Sequence, residues 1–244
     1  MNSIILCEGR TDAILLSYYL IRIYGWEYVK KGPKKHLDIR PSENQEINWY
    51  KKDNNYLMIF GVGGKDNFKN VIDKYLSVVL MNYLQDDSFQ KIVIMEDKDE
   101  GSVSKIQKIH MEWLKPFVKQ IKDREWKLNE FNDAFGNIQT VDALSIIIPV
   151  GKQGALETTL LESISEDEYD KVIIDNCRKF ITEIRPYAEK YISTNRLELK
   201  AHLASVFAVI SPEKVFTTLD NVIKEVHWDE SEVLKECFSV LRII

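Results

Sequence analysis

Within its first half the chain repeats one order three times: a short continuous apolar stretch, a turn, then apolar residues at helical spacing. Ser3 to Cys7 leads into Glu8-Gly9, after which Ile14, Leu15, Tyr18, Tyr19 and Ile23 trace a helix face to about Tyr24, with Thr11 or Asp12 placed to cap it. Tyr56 to Phe60 leads into Gly61-Val62-Gly63-Gly64 and a helix opening at Asp66 or Asn67 and running to about Leu84. Ile92 to Met95 leads into Glu96-Asp97-Lys98-Asp99-Glu100 and a helix from Ser102 to around Lys122. Apolar runs without polar alternation suit strands buried on both faces. Repeated strand-turn-helix units then demand a parallel sheet with helices packed on it, an α/β fold. Sites in such folds lie at the carboxyl ends of the strands.

Residues 30–55, polar and rich in lysine and asparagine with Pro33 and Pro41, read as an insertion or long loop. Ala143 to Val150 reads as a further strand, closed by Pro149 and Gly151-Lys152-Gln153-Gly154. From Leu156 onward the periodicity is helical, with helices expected near 156–163, 166–184, 185–192, 196–209 and 212–225 and a terminal piece from Val233 to Val240. The expected division is an α/β domain over 1–162 and a helical region over 163–244 that packs on it as a cap, forming a cleft wall or a homodimer surface.

Composition is that of a globular protein: 45% of the 244 residues are hydrophobic and 29% charged, which excludes disordered and low-complexity classes. A formal net charge of −5 gives no overall attraction to polyphosphate, so nucleic-acid binding would need a basic patch or a metal ion. Cys7, Cys177 and Cys237 are scattered and form no CxxC or Cys/His cluster, which points to a reducing, cytoplasmic setting without structural zinc. No apolar stretch reaches the roughly 18 residues that a membrane helix needs, so no membrane association is expected.

The strand ends carry the chemistry. On one sheet edge Glu8, Asp97 and Asp99 would form an acidic cluster, and three close carboxylates repel unless one is protonated or a hard cation neutralises them. Oxygen-only donors favour Mg²⁺ or Mn²⁺. Gly9 and Gly63 read as turn glycines, and Lys65, Lys98 and Lys152, each beside a motif turn, as phosphate contacts. Gly61 to Lys65 lacks the spacing of a P-loop. His36, His110, His202 and His227 are isolated and read as solvated or core-satisfied; Trp113, Trp126 and Trp228 read as packing residues.

ILCEGRTDAILL resembles the first motif of Toprim domains, the fold shared by type IA and type II topoisomerases, bacterial primases, small RNA-maturation nucleases and OLD-type nucleases. IVIMEDKDE resembles the Toprim DxD strand, and FGVGGKDNF the glycine-bearing second strand and turn. The EGxTD variant, with Gly154 to Glu157 and Leu160 to Glu162 downstream, is most similar to small stand-alone OLD-related Toprim proteins. The resemblance implies Glu8 as general acid/base, Asp97 and Asp99 as metal ligands, and Asp12 and Glu157 as ligands of a second metal. From the residues alone Asp12 reads as a helix cap before it reads as a ligand, and Glu96 or Glu100 would replace a DxD ligand if the register shifts by one. The implied function is an Mg²⁺- or Mn²⁺-dependent nuclease acting on nucleic acid, alone or with a protein partner. The alternatives are a non-catalytic module that binds a metal-nucleotide or nucleic-acid end, and a structural partner subunit with a vestigial site. No ATPase motif accompanies these residues, unlike full OLD nucleases, and no topoisomerase tyrosine can be picked out by motif.

Overall fold

The computed structural model of the protein describes residues 1–214, 219–223 and 226–244. The chain divides into two compact units, Met1–Ile148 with Phe238–Ile244, and Pro149–Cys237. The division therefore falls at Ile148 rather than at the expected 162, and the last seven residues return to the first unit.

In chain order the first unit contains β1 (Asn2–Cys7), α1 (Arg10–Tyr24), β2 (Glu27–Val29), β3 (Glu46–Lys52), β4 (Asn55–Gly61), α2 (Phe68–Val71), α3 (Ser77–Asn82), β5 (Lys91–Asp97), α4 (Val103–Trp113), β6 (Lys127–Asn132) and β7 (Ile138–Ile148). These build an α/β fold on one seven-stranded sheet of order β2-β3-β4-β1-β5-β7-β6. The four central strands are mutually parallel, and the outer strands β2, β3 and β6 run antiparallel to their neighbours. β1 is buried at every position, as a strand apolar on both faces must be. Ile4, Leu6, Met58, Phe60, Ile92 and Ile94 alternate onto one face and join Phe68, Ile72, Leu76, Leu114 and Phe117 in a single core. On the other face lies α1: Trp49 belongs to that core, so its neighbour Tyr50 points away, and its hydroxyl donates to Ser17 Oγ of α1 at 2.6 Å.

Four expectations are corrected here. The segment 30–55 is not a long loop: it carries β3 and the short turn of helix Lys35–Leu37. β7 begins at Ile138, not Ala143, and pairs with β6, which polar alternation had concealed. α4 stops at Trp113 instead of continuing to Lys122; Ser102 does cap it, its Oγ accepting from the Lys105 N–H at 3.3 Å. Gly9, not Thr11 or Asp12, is the cap residue of α1.

The second unit is helical, with α5 (Leu156–Ile164), α6 (Glu168–Ile184), α7 (Asn195–Ile210) and α8 (Leu219–Ile223); α9 (Glu232–Phe238) follows at its end. Asp167 caps α6 and Thr194 caps α7 through side-chain oxygens. Ile174, Ile181, Leu203, Val206 and the fully buried Trp228 fill its interior. Of the helix expected at 185–192, only the turn Arg185–Tyr187 forms. The helix expected over 212–225 falls partly on 215–218 and 224–225, outside the described residues. Among the described residues no helix is long and apolar enough to cross a membrane.

Candidate functional site at the carboxyl edge of the sheet

β1 and β5 are neighbours in register, Cys7 opposite Met95, so Glu8 stands level with Glu96 at the carboxyl edge. The turn after β4 is folded over the end of β1: Val62 N–H donates to Cys7 O at 2.9 Å, and the Glu8 carbonyl accepts from Gly63 N–H at 3.1 Å and Gly64 N–H at 2.8 Å. Three of the expected features, Glu8, the glycine turn and the acidic run after β5, therefore meet at one place. Gly63 adopts a left-handed φ of 84°, and a side chain there would strike the Asn44 carbonyl.

Gly9 needs no such freedom, since its φ of −144° is extended backbone. The close approach belongs to Gly61 instead, where an added Cβ would lie 2.8 Å from the Gly9 carbonyl oxygen, against 3.4 Å to the nearest atom at Gly9. Gly61→Ala should therefore lower stability by about 1–3 kcal/mol and Gly9→Ala by less than about 1 kcal/mol. Thermal melts of the two variants check this, and equal losses would contradict it.

Asp12 is 8% exposed in the first turn of α1, and its Oδ2 accepts the Gly9 N–H at 2.9 Å. That is half of a capping box, the half a glycine cap still permits. Asp97 is 3% exposed at the last position of β5. By the two-residue period it turns to the face of Cys7 and α1, whereas Glu96 follows Ile94 to the opposite face. Among the described residues no group of three or more His, Cys, Asp or Glu stands together to hold a metal ion. Asp99 lies beyond the strand with a left-handed φ of 48°, a conformation that aspartate tolerates at some cost. Lys98 is half-buried, and its N–H donates to Ile148 O at 2.6 Å.

The residue that gathers charge here is Lys65. Its Nζ lies 2.5 Å from Glu96 Oε1 and 3.8 Å from Asp99 Oδ2. Partial burial pulls its pKa down, but Glu96, Asp99 and Glu8 outweigh this and hold it above the ordinary lysine value. Behind it runs a buried chain: Glu96 Oε2 is 2.8 Å from His110 Nε2, and His110 Nδ1 is 3.0 Å from Ser145 Oγ. Burial pushes the Glu96 carboxyl up, yet His110 and Lys65 together draw its pKa below the usual value. Ser, His and Glu in such a chain resemble a hydrolase triad in composition, but Ser145 is fully buried on β7 and meets no substrate. Glu96 entered the sequence reading only as a register alternative and His110 only as an isolated residue. The available signal was a carboxylate in line with Ile92 and Ile94, and a histidine four residues after the buried Ile106.

A family model described as "Protein of unknown function (DUF3226)" matches residues 2–240. The chain belongs to the DUF3226 family. No curated protein matches it. Solved structures similar to this DUF3226 chain include a hypothetical protein of Pyrococcus horikoshii OT3, at 17% identity over 98% of this chain and 99% of that one, with a TM-score of 0.49. A protein of unknown function from Thermoplasma acidophilum matches at 14% identity over 88% of each chain, TM-score 0.25. Lactoylglutathione lyase of Agrobacterium tumefaciens matches at 16% identity over 59% of this chain and 91% of that one, TM-score 0.18. At such scores these likenesses carry no argument about activity.

Two expected site residues of the DUF3226 chain belong to its second unit. Glu157 is in the first turn of α5; its Oε1 is 3.9 Å from Lys200 Nζ, and its Oε2 is buried without a hydrogen-bond partner. Lys152 forms an ion pair with Glu162 at 2.5 Å. The thiol of Cys7 is fully buried, and burial raises its pKa well above the ordinary value, so it is no nucleophile at neutral pH.

Proposed function

We propose that this DUF3226 protein carries out metal-dependent phosphotransfer on nucleic acid, as an Mg²⁺- or Mn²⁺-dependent nuclease of the OLD-related Toprim kind. One observation carries the reading: adjacent parallel strands in register deliver Glu8 and the Glu96–Asp99 run to a single carboxyl edge. The donor set suits a hard cation, since every candidate ligand offers oxygen. Mg²⁺ commonly takes only one or two carboxylates and completes its shell with water and substrate phosphate, so Asp97 and Asp99 suffice in number. That Lys65 is drawn to Asp99 and to Glu96 supports an edge built to hold positive charge. A bound cation would supply neutralisation of the charge developing on the phosphate. Glu8 moves the proton, and Lys98 and Lys65 meet substrate phosphates. Asp12 remains a residue that the resemblance assigns to a second cation. The three free, buried cysteines support a reducing, cytoplasmic setting.

A second reading rests on the same lysine. If Lys65 neutralises the acids permanently, the chain is a non-catalytic module or a structural partner with a vestigial site. Incubating supercoiled plasmid with the purified protein separates these. Nicking that requires Mn²⁺ and stops with EDTA is the expected result. Calorimetric binding of a nucleic-acid end without nicking would establish the module instead, and neither binding nor nicking the structural partner.

A further inference from the structure

We propose that the groove between α6 and α7 binds a small organic acid, one that carries an apolar body and a hydroxyl beside its carboxylate. Every residue of the groove belongs to the second unit, so the inference is independent of the reading of the sheet edge. α6 and α7 pack against each other, and Arg178 and Ile181 of the one, with Leu199 and His202 of the other, line a cavity of about 340 Å³. That volume suits a small ligand. The residue that calls for one is His202, which is 4% exposed and whose Nε2 lies 2.9 Å from the Ile174 carbonyl, a group that can only accept. Nε2 therefore carries the proton, and Nδ1 is an acceptor with no partner among the described residues. Burial pushes the His202 pKa down against the opposing bond to Ile174, Arg178 adds to the fall, and Asp175 and Glu198 do not reverse it. The ring is neutral at neutral pH, and Nδ1 keeps its lone pair. A buried acceptor left unmatched is a cost that a donor on a ligand removes.

Charge identifies the other end of the ligand. Glu198 also lines the cavity, but its carboxylate is paired with Arg185, which in turn donates to Asn195 Oδ1 at 3.2 Å. Arg178 forms no ion pair among the described residues, so its guanidinium is the charge in the groove that is left to answer. It lies within electrostatic reach of His202, and Ile174, whose carbonyl holds His202, is one helical turn before it on α6. The donor fork and the bare acceptor are therefore neighbours. A guanidinium fork matches a carboxylate with two parallel hydrogen bonds. A hydroxyl on the carbon next to that carboxylate then donates to His202 Nδ1, while the buried Ile181 and half-buried Leu199 give the apolar body its wall.

Calorimetric titration of the full chain with phenyllactate, and with phenylpropionate, which lacks the hydroxyl, tests this. Wild type should bind phenyllactate, and bind phenylpropionate about threefold to tenfold more weakly, the worth of one net hydrogen bond. Arg178→Met, a change on the exposed rim of the groove, should weaken both acids by at least about tenfold. His202→Phe should bind the two acids alike; if that variant does not fold, the comparison of the two acids on wild type carries the same test. No binding of either acid to wild type at millimolar concentration, equal binding of the two, or unchanged binding by Arg178→Met overturns the proposal. Binding of inorganic phosphate in preference to phenyllactate overturns the carboxylate assignment.

Discussion

Glu8→Gln should reduce Mn²⁺-dependent nicking by about 10²–10⁴-fold, the usual range for loss of a general acid or base, while leaving the melting temperature close to that of wild type. The side chain is 7% exposed at the end of β1, and glutamine keeps its size. What is lost is the ability to take and return a proton. Measuring Mn²⁺ affinity alongside cleavage gives the variant diagnostic value. Unchanged affinity with lost cleavage matches proton transfer. Affinity and cleavage lost together would make Glu8 a ligand instead, and unaltered cleavage would remove it from the mechanism.

His110→Ala should be the most destabilising single exchange near the site, by about 3 kcal/mol, the lower end for breaking a buried pair. For a chain of this size that corresponds to a fall in melting temperature of roughly 6–12 °C. The reason is what stays behind: the fully buried Glu96 carboxylate loses its 2.8 Å partner and retains only Lys65, which is partly exposed. Removing both side chains, as in Glu96→Leu/His110→Leu, should cost less than His110→Ala alone, because no buried carboxylate is then stranded. If the double variant is the less stable of the two, Glu96 is not the source of the penalty.

Acid should reveal the same network. The Glu96 pKa is lower in the folded protein than the ordinary glutamate value of 4.5, because His110 and Lys65 outweigh burial. Its contribution is therefore fully present above that value and is lost as pH falls through the folded pKa. The stability gap between wild type and Glu96→Gln should narrow on acidification below about pH 4.5.

The elements legible in the sequence are those whose burial is complete. β1, the end of β4 and the middle of β5 are unbroken apolar runs followed by turn residues, and they occur as expected. β3 and β6 lie toward the sheet's edges, half-covered, and spell Glu-Ile-Asn-Trp-Tyr-Lys-Lys and Lys-Leu-Asn-Glu-Phe-Asn. In β6 the pattern is inverted, with Leu128 exposed and Asn129 buried, and in neither strand does an apolar run announce the element. The capping of α1 was half-hidden, because a glycine cap has no side chain to complete the motif and only the Asp12 half could be read. Glu8, the glycine turn and the acidic run were found because each ends a strand, and register then set them level. The partnership of Glu96 with His110 could not be found in that way. It joins a strand to the following helix and exists only once α4 packs beside β7, which also supplies Ser145.

The path of the chain also orders its folding in time. Phe238–Ile244 belong to the first unit, where Phe238 lies edge-on to Tyr19, the Val240 carbonyl accepts from Trp126 Nε1, and the Ile243 carbonyl accepts from Lys91 Nζ. A ribosome delivers α1 and β5 long before these residues, with the whole second unit in between. The nascent sheet thus waits with Tyr19 and Trp126 uncovered, and its last apolar seam closes only when residues 238–244 emerge.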